Sequence, residues 1–119
     1  MAHSRYQISR VNKSMKSNSY FILNGATTET TGDFPVVGMD KFSVNIRGKS
    51  FDSSPATGIA NLLVKLNEND TFTNIFSYVF NGNSGTFVQF DGPIHTLRAS
   101  ISPYTTGTYD AVCMYSYHE

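Results

Sequence analysis

The sequence predicts an all-β fold, a single-domain antiparallel β-sandwich that is jelly-roll- or Ig-like and has about seven or eight strands. Three observations support this fold class. Apolar and polar residues alternate with the two-residue period of a strand. Turn-forming residues recur at intervals of about ten residues, and no clear helical segment lies between them. With 119 residues, the chain has the length of one compact domain.

The first third of the chain is its least regular part. Residues 20–23 form a short apolar run, preceded by the polar residues 12–18, which we interpret as a connection. The Thr-rich residues 26–32 are expected to be an exposed strand or a loop. We therefore divide the chain into a basic N-terminal arm or edge segment, residues 1–18, and a β-sandwich domain, residues 19–119.

The clearest strand covers residues 41–47. Its apolar residues Phe42, Val44 and Ile46 alternate with polar ones, so that one face is predicted to be buried and the other solvated. Gly48 closes the run.

The next strand is predicted around Leu62, Val64 and Leu66. Ile59 and Leu63 make its second face apolar as well, which indicates a central or covered strand. A helix of almost three turns is the rival interpretation, but the period of two favours a strand. Residues 50–58, before it, are expected to be a longer loop.

The C-terminal half is divided by turn sequences rich in Asn, Asp, Gly and Pro, residues that tolerate tight backbone angles. These turns predict a series of short strands joined by hairpin-like connections. The turns are at residues 67–70, 81–85, 91–93 and 103–107, and the strands between and after them are at 72–80, 87–90, 94–101 and 109–117.

Charge and composition exclude several classes of function. Nine basic and nine acidic residues cancel, which argues against a domain-wide electrostatic grip on nucleic acid or on an anionic membrane. No apolar run approaches the length of about 20 residues that a membrane-spanning helix needs. We therefore expect neither nucleic acid nor a membrane as a partner.

No catalytic or cofactor-binding pattern stands out, and we expect a protein that is not an enzyme. Cys113 is the single cysteine, lies in an apolar stretch, and is expected to be buried as a small apolar side chain. The three histidines lack the spacing of a metal site. A hydrolase using scattered acids such as Asp70 and Asp91 stays open as a minor alternative.

Two groups of residues are candidates for contacts with partners. Arg5, Arg10, Lys13 and Lys16 all precede the first acidic residue and suit docking on an acidic neighbour. The alternative is a solvated edge whose charges block unwanted strand pairing. The second group is aromatic and is expected at the surface, where it suits protein or sugar contacts. It consists of Tyr104 and Tyr109.

Arg98 has two interpretations as well. It can reach a partner molecule, or it can pair within the fold with Asp91 or Asp110. We favour the internal pair, because arginines at buried or interface positions are usually paired.

The segment from Leu62 onward resembles small β-sandwich accessory proteins of tailed bacteriophage particles. The resemblance covers about half of the chain and rests on an order of strands and turns, ending with an Arg-containing strand, a Thr-Gly-Thr turn and a final strand. The matching segments are Leu62-Leu63-Val64-Lys65-Leu66, Asn69-Asp70-Thr71-Phe72, Gly92-Pro93-Ile94, Leu97-Arg98-Ala99-Ser100-Ile101 and Tyr104-Thr105-Thr106-Gly107-Thr108-Tyr109.

This resemblance implies a structural protein of the virion, most of all a capsid decoration or cement protein that binds the major capsid protein and stabilises the shell. It implies synthesis in the host cytoplasm, location on the particle, no cofactor, and self-association, for which a trimer is one form. The alternatives are a tail or neck component of the same particle and, from a different class, a carbohydrate-binding β-sandwich module.

Overall fold

The computed structural model describes residues 15–50 and 54–118, which form eight strands in two antiparallel four-stranded sheets. Within these ranges there is no helix that is long and apolar enough to cross a membrane. The strands are β1 (Met15–Ala26), β2 (Thr30–Pro35), β3 (Met39–Lys49), β4 (Ile59–Lys65), β5 (Thr73–Val79), β6 (Ser84–Asp91), β7 (Thr96–Ile101) and β8 (Thr108–His118). The predicted all-β sandwich is confirmed.

The strand order identifies the kind of sandwich. The first sheet has the order β1-β8-β3-β6 and the second sheet the order β2-β7-β4-β5. Consecutive strands lie in opposite sheets, except for β4 and β5, which form a hairpin within the second sheet. Each sheet thus combines strands from both halves of the chain, which is the connectivity of a jelly roll. Of the two predicted variants, the structure has the jelly roll.

The core lies between the two sheets and follows the predicted alternation. Phe42, Val44 and Ile46 of β3 are buried, as expected, and face Leu62 and Leu97 of the second sheet. Complete burial of a side chain such as Leu62 contributes about 2 kcal/mol to folding. Because strands have a period of two, the residues between these buried ones point outward, and this alternation creates the two outer faces of the sandwich.

β4 is a strand and not a helix, and its central place was also predicted correctly, since it lies between β7 and β5. Leu62 and Val64 are buried, whereas Ile59 and Leu63 on the outer side are half-buried. Leu66 does not continue the buried set: β4 ends at Lys65, and Leu66 is 65% exposed in the following turn.

β1 begins earlier than the sequence suggests. Its backbone pairs with β8 from Met15, opposite His118, so that residues 15–18 belong to the sheet and not to a connection. Polar residues are accommodated here because β1 is an edge strand whose outer side meets solvent. The Thr-rich segment forms a connection after Ala26 and then β2 from Thr30.

Candidate protein-interaction surface

The basic residues of the N-terminal segment are only partly within the described residues. Arg5, Arg10 and Lys13 lie outside them, as do residues 51–53 of the predicted loop at 50–58. Lys16 is in β1 at the edge of the first sheet, where its backbone is opposite Tyr117 of β8. The role of the four basic residues in binding a partner therefore stays a prediction.

Tyr109 is not a surface aromatic, and this prediction was wrong. It lies on the inward side of β8 with none of its side chain exposed, 5.0 Å from Phe80 between ring centroids. Its hydroxyl accepts a hydrogen bond from the Gly58 amide at 2.6 Å and donates one to the Thr106 carbonyl at 2.6 Å. The polar tip of the tyrosine is thus satisfied inside the fold, which allows the whole side chain to be buried.

Tyr104 packs against Tyr109 and is half-buried. Its hydroxyl donates to the Gly107 carbonyl at 2.9 Å, so that it secures the turn before β8. The two tyrosines therefore do not form the exposed stacking surface that the carbohydrate-binding alternative relied on.

Arg98 pairs within the fold, as favoured, but with a different partner from either of those predicted. Its Nε and Nη2 atoms donate to the two carboxylate oxygens of Asp33 at 2.7 and 3.0 Å. The reason is the strand pairing, which places Arg98 of β7 directly opposite Asp33 of β2. The hydrogen bond and charge of Arg98 lower the pKa of Asp33, against a smaller opposing effect of burial.

Asp110, one of the two partners predicted for Arg98, lies instead near Arg47, with 3.7 Å between the Asp110 Oδ2 and Arg47 Nη2 atoms. The Cζ atom of Arg98 also lies 3.8 Å from the centre of the Phe72 ring, which adds a cation–π contact. Arg98 therefore has both an ion-pair partner and an aromatic contact within the fold.

The outer face of the first sheet carries a group of exposed apolar side chains. One row across its four strands consists, by the pairing of the strands, of Phe21, Val112, Asn45 and Phe87. Phe21 is 45% exposed and Phe87 54% exposed, and Met114, one row along, is 56% exposed. Exposed large apolar side chains grouped on one face are typical of surfaces that bind other proteins.

This face is hollow and not flat. Two adjoining hollows of about 520 Å³ each share Asn45 and Arg47. One is mainly apolar and includes Phe21, Phe87 and Met114, whereas the other has polar and charged residues in its lining, among them Lys49 and Asp110. The two aromatic side chains, on strands at opposite edges of the sheet, both line the apolar hollow, together with residues of β8 and β3.

The charges on this face nearly cancel. Arg47 and Asp110 are adjacent in one row, and Lys41 is opposite Asp91 in the strand pairing at the other end. Lys49, on the same side of β3, adds one positive charge. The surface thus has an apolar middle with polar groups around it and only a small positive excess. It suits a protein partner better than a polyanion.

The outer face of the second sheet is different, because its polar groups are bonded to each other. Asn61 accepts from Ser77 at 2.7 Å and from Asn74 at 3.3 Å, and the Asn74 carboxamide oxygen accepts from the Phe76 amide at 2.9 Å. This network stabilises the irregular pairing between β4 and β5. With Arg98 and Asp33 also paired there, few strong hydrogen-bonding groups remain available to a partner.

Catalytic chemistry has little support in the described part of the chain. No group of three or more His, Cys, Asp or Glu side chains in residues 15–50 and 54–118 is arranged to hold a metal ion. Cys113 is buried, as predicted, and burial raises the pKa of its thiol to about 12. The reactive thiolate is therefore scarce near neutral pH.

The sequence analysis did not predict this apolar face, although the outward-facing residues Val112 and Met114 of β8 are themselves apolar. In β8, Tyr109, Ala111 and Cys113 alternate with Asp110, Val112 and Met114, and only the first set is buried. Because both sets contain apolar residues, the alternation did not reveal that Val112 and Met114 face outward.

Comparison with known proteins gives a likeness in structure. No family model matches the chain, and no curated protein matches it in sequence. The SPBc2 prophage-derived protein YomS superimposes with a TM-score of 0.67 at 16% identity, over 86% of this chain and 94% of that one. A subunit from the disulfide-linked pili of Bacillus endospore appendages has a TM-score of 0.54 at 13% identity, over 88% of each chain. At these identities the likeness shows a shared fold.

Proposed function

We propose that this chain is a structural component of a bacteriophage particle that acts by binding other proteins and not by catalysis. The observation that carries this proposal is the match in fold to a prophage-derived protein over nearly the whole of both chains. The second match comes from a protein of an assembled filament, which supports an assembly role for the shared fold. The phage resemblance of the C-terminal half points in the same direction.

The physical properties of the molecule support the same role. Two sheets packed face to face form a stiff body, and the outer face of the first sheet offers exposed apolar groups at Phe21, Phe87 and Met114. A subunit of a particle needs stability and contact surface, and both can be provided without a reactive group.

At a finer level, we propose that the chain is a capsid decoration or cement protein that binds the major capsid protein. An added interface of about 1,600 Å² at each site would raise the free energy needed to open the shell. The contact segment in this proposal is the basic stretch of Arg5, Arg10, Lys13 and Lys16, and repetition of sites over the shell adds avidity. A tail or neck position on the particle is the alternative.

Electron microscopy of particles from a phage that carries this gene, with an antibody against the chain, tests location first. Label over the shell supports the decoration role, label at the tail or neck supports the alternative, and particles without the chain contradict both.

Co-sedimentation with emptied shells then tests the contact segment. The triple variant Arg5→Ser, Arg10→Ser, Lys13→Ser is expected to reduce the bound fraction at least about tenfold, since each charge-assisted contact contributes about 1 kcal/mol or more. The matched control Arg5→Lys, Arg10→Lys keeps the charge and should retain most of the binding. Undiminished binding by the triple variant would show that the shell is contacted elsewhere.

A further inference from the structure

We propose that the outer face of the first sheet binds a second copy of this chain, related to the first by a two-fold axis that runs parallel to the strands. This inference does not depend on the proposed function. It rests on the order of residues across the four strands, which is complementary to itself under that one operation.

The apolar row provides the first match. From β1 to β6 it consists of Phe21, Val112, Asn45 and Phe87, with the aromatic side chains at the two ends. A two-fold axis along the strands places β1 of one copy over β6 of the other and leaves the rows aligned. Phe21 then meets Phe87 of the second copy, and the same contact forms twice, as a two-fold interface requires.

The charged row provides the second match. Asp110 of β8 and Arg47 of β3 are opposite each other in the strand pairing. Under the same axis β8 lies over β3 of the second copy, so that Arg47 faces Asp110 of that copy and Asp110 faces its Arg47. Each charge thus has an opposite charge both beside it and across from it, which favours this arrangement.

The competing two-fold axis, perpendicular to the strands, lacks the charge match wherever it crosses the sheet. It places β3 over β3 and β8 over β8, so that Arg47 never faces Asp110 of the second copy. When it crosses between the rows of Ser43 and Asn45, Arg47 comes to face Lys41 of the second copy. The missing ion pairs disfavour this orientation.

The size of the face fits a specific but weak dimer. Four strands spaced by about 4.8 Å and about nine residues rising about 3.4 Å each give a projected area of about 600 Å² per copy. Two copies then bury about 1,200 Å², which is the lower end of the range for specific interfaces. The formal net charge of zero means that two copies do not repel each other at long range.

The first test is the mass of the purified full-length chain in solution, measured by light scattering and sedimentation velocity. At about 100 µM we expect a reversible dimer with twice the 13.2 kDa mass of the chain. A chain that stays monomeric at this concentration overturns the proposal and leaves the apolar face to a different protein. A trimer overturns it as well.

The second test exploits the predicted pairing of position 21 with position 87 of the other copy. Phe21→Lys and Phe87→Glu are each expected to be monomeric at about 100 µM, because each removes both aromatic contacts of the dimer and buries a charge that has no opposite charge at that position. Mixed together they should form a one-to-one dimer, in which the introduced lysine faces the introduced glutamate and the other Phe21–Phe87 contact is intact. A mixture that remains monomeric contradicts this axis.

A matched control separates this interface from a general effect of exposed charge. Val79 is 66% exposed and belongs to β5 of the second sheet. Val79→Glu therefore removes a similar exposed apolar side chain at a distant position, and it should leave the dimer unchanged. Loss of the dimer in this control would indicate that the interface involves the second sheet, and it would contradict the proposal.

Crosslinking provides a milder measurement that does not depend on charged variants. Phe21→Cys mixed with Phe87→Cys should be joined by a short bis-maleimide reagent, whereas either variant alone should give at least about fivefold less product, because its two cysteines lie about three strand spacings apart. Cys113 is buried and should not contribute. Equal yields from the mixture and the single variants would contradict the axis.

Discussion

Replacing Tyr109 by phenylalanine removes a single oxygen from the interior and breaks two hydrogen bonds at once. The Tyr109 hydroxyl accepts from the Gly58 amide at 2.6 Å and donates to the Thr106 carbonyl at 2.6 Å. It therefore ties the loop before β4 to the turn before β8. The ring itself stays in place in Tyr109→Phe, so that no cavity larger than a hydroxyl group is created.

The magnitude follows from what each partner loses. The Gly58 amide is buried and becomes an unpaired donor, which costs about 1–3 kcal/mol, and the partly buried Thr106 carbonyl loses a donor at about 0.5–1 kcal/mol. We expect the free energy of unfolding to fall by about 1.5–4 kcal/mol. For a domain of this size the melting temperature should fall by about 6–15 °C.

Urea unfolding, followed by fluorescence and circular dichroism, is the appropriate assay, with the melting temperature as a second measure. Tyr104→Phe is the matched control, because its hydroxyl makes one hydrogen bond, to the Gly107 carbonyl, at a half-buried position. That variant should lose less than about 1 kcal/mol. Equal losses in the two variants, or a loss below about 1 kcal/mol for Tyr109→Phe, would refute the reasoning.

Three further predictions concern the turns, the ion pair and the cysteine. Gly107→Ala should lower the free energy of unfolding by more than about 3 kcal/mol, because its φ is +120° and a Cβ would lie 2.7 Å from a neighbouring Cβ. Gly82→Ala, with a φ of +92° and open space, should lose only about 1 kcal/mol in the same urea titration. The lowered pKa of Asp33 stabilises the fold above the pKa of the unfolded state, and this contribution is lost as the pH falls through the lower folded-state pKa. Asp33→Asn should therefore reduce the fall in melting temperature between about pH 5 and about pH 2. The reduction should be equivalent to less than about 1 kcal/mol, because the Asp33–Arg98 pair is partly exposed. A fall that is unchanged in the variant would contradict a role for the pair. Cys113 should resist iodoacetamide at about pH 8 in the native chain and react fully in urea, and rapid labelling of the native chain would show that the thiol is not buried.

The two outer faces of the sandwich have different roles in this picture. On the second sheet, Arg98, Asp33 and the Asn61 network are paired with each other and stabilise strand pairing. On the first sheet, Phe21 and Phe87 have much of their surface exposed. This asymmetry directs the search for partners to one side of the molecule.

Local pattern was enough to predict the strands whose two sides differ strongly in polarity. In β3, Phe42, Val44 and Ile46 alternate with polar residues, and their burial was predicted correctly. The same pattern failed in β8, since Val112 and Met114 on its outer side are also apolar. At Tyr109 it failed for a different reason: a tyrosine is compatible with either side, depending on whether its hydroxyl finds a partner.

The sequence alone determined that the chain is all-β, that β4 is a central strand, and that Cys113 is buried, because these properties depend on residues close together in the chain. Which strands pair with which was decided only in the tertiary structure. That pairing gave Arg98 the partner Asp33 in place of Asp91 or Asp110, and it aligned Phe21 with Phe87 across four strands. Register and sheet order result from many weak contacts between distant segments, and a shift of one residue turns every side chain to the opposite face.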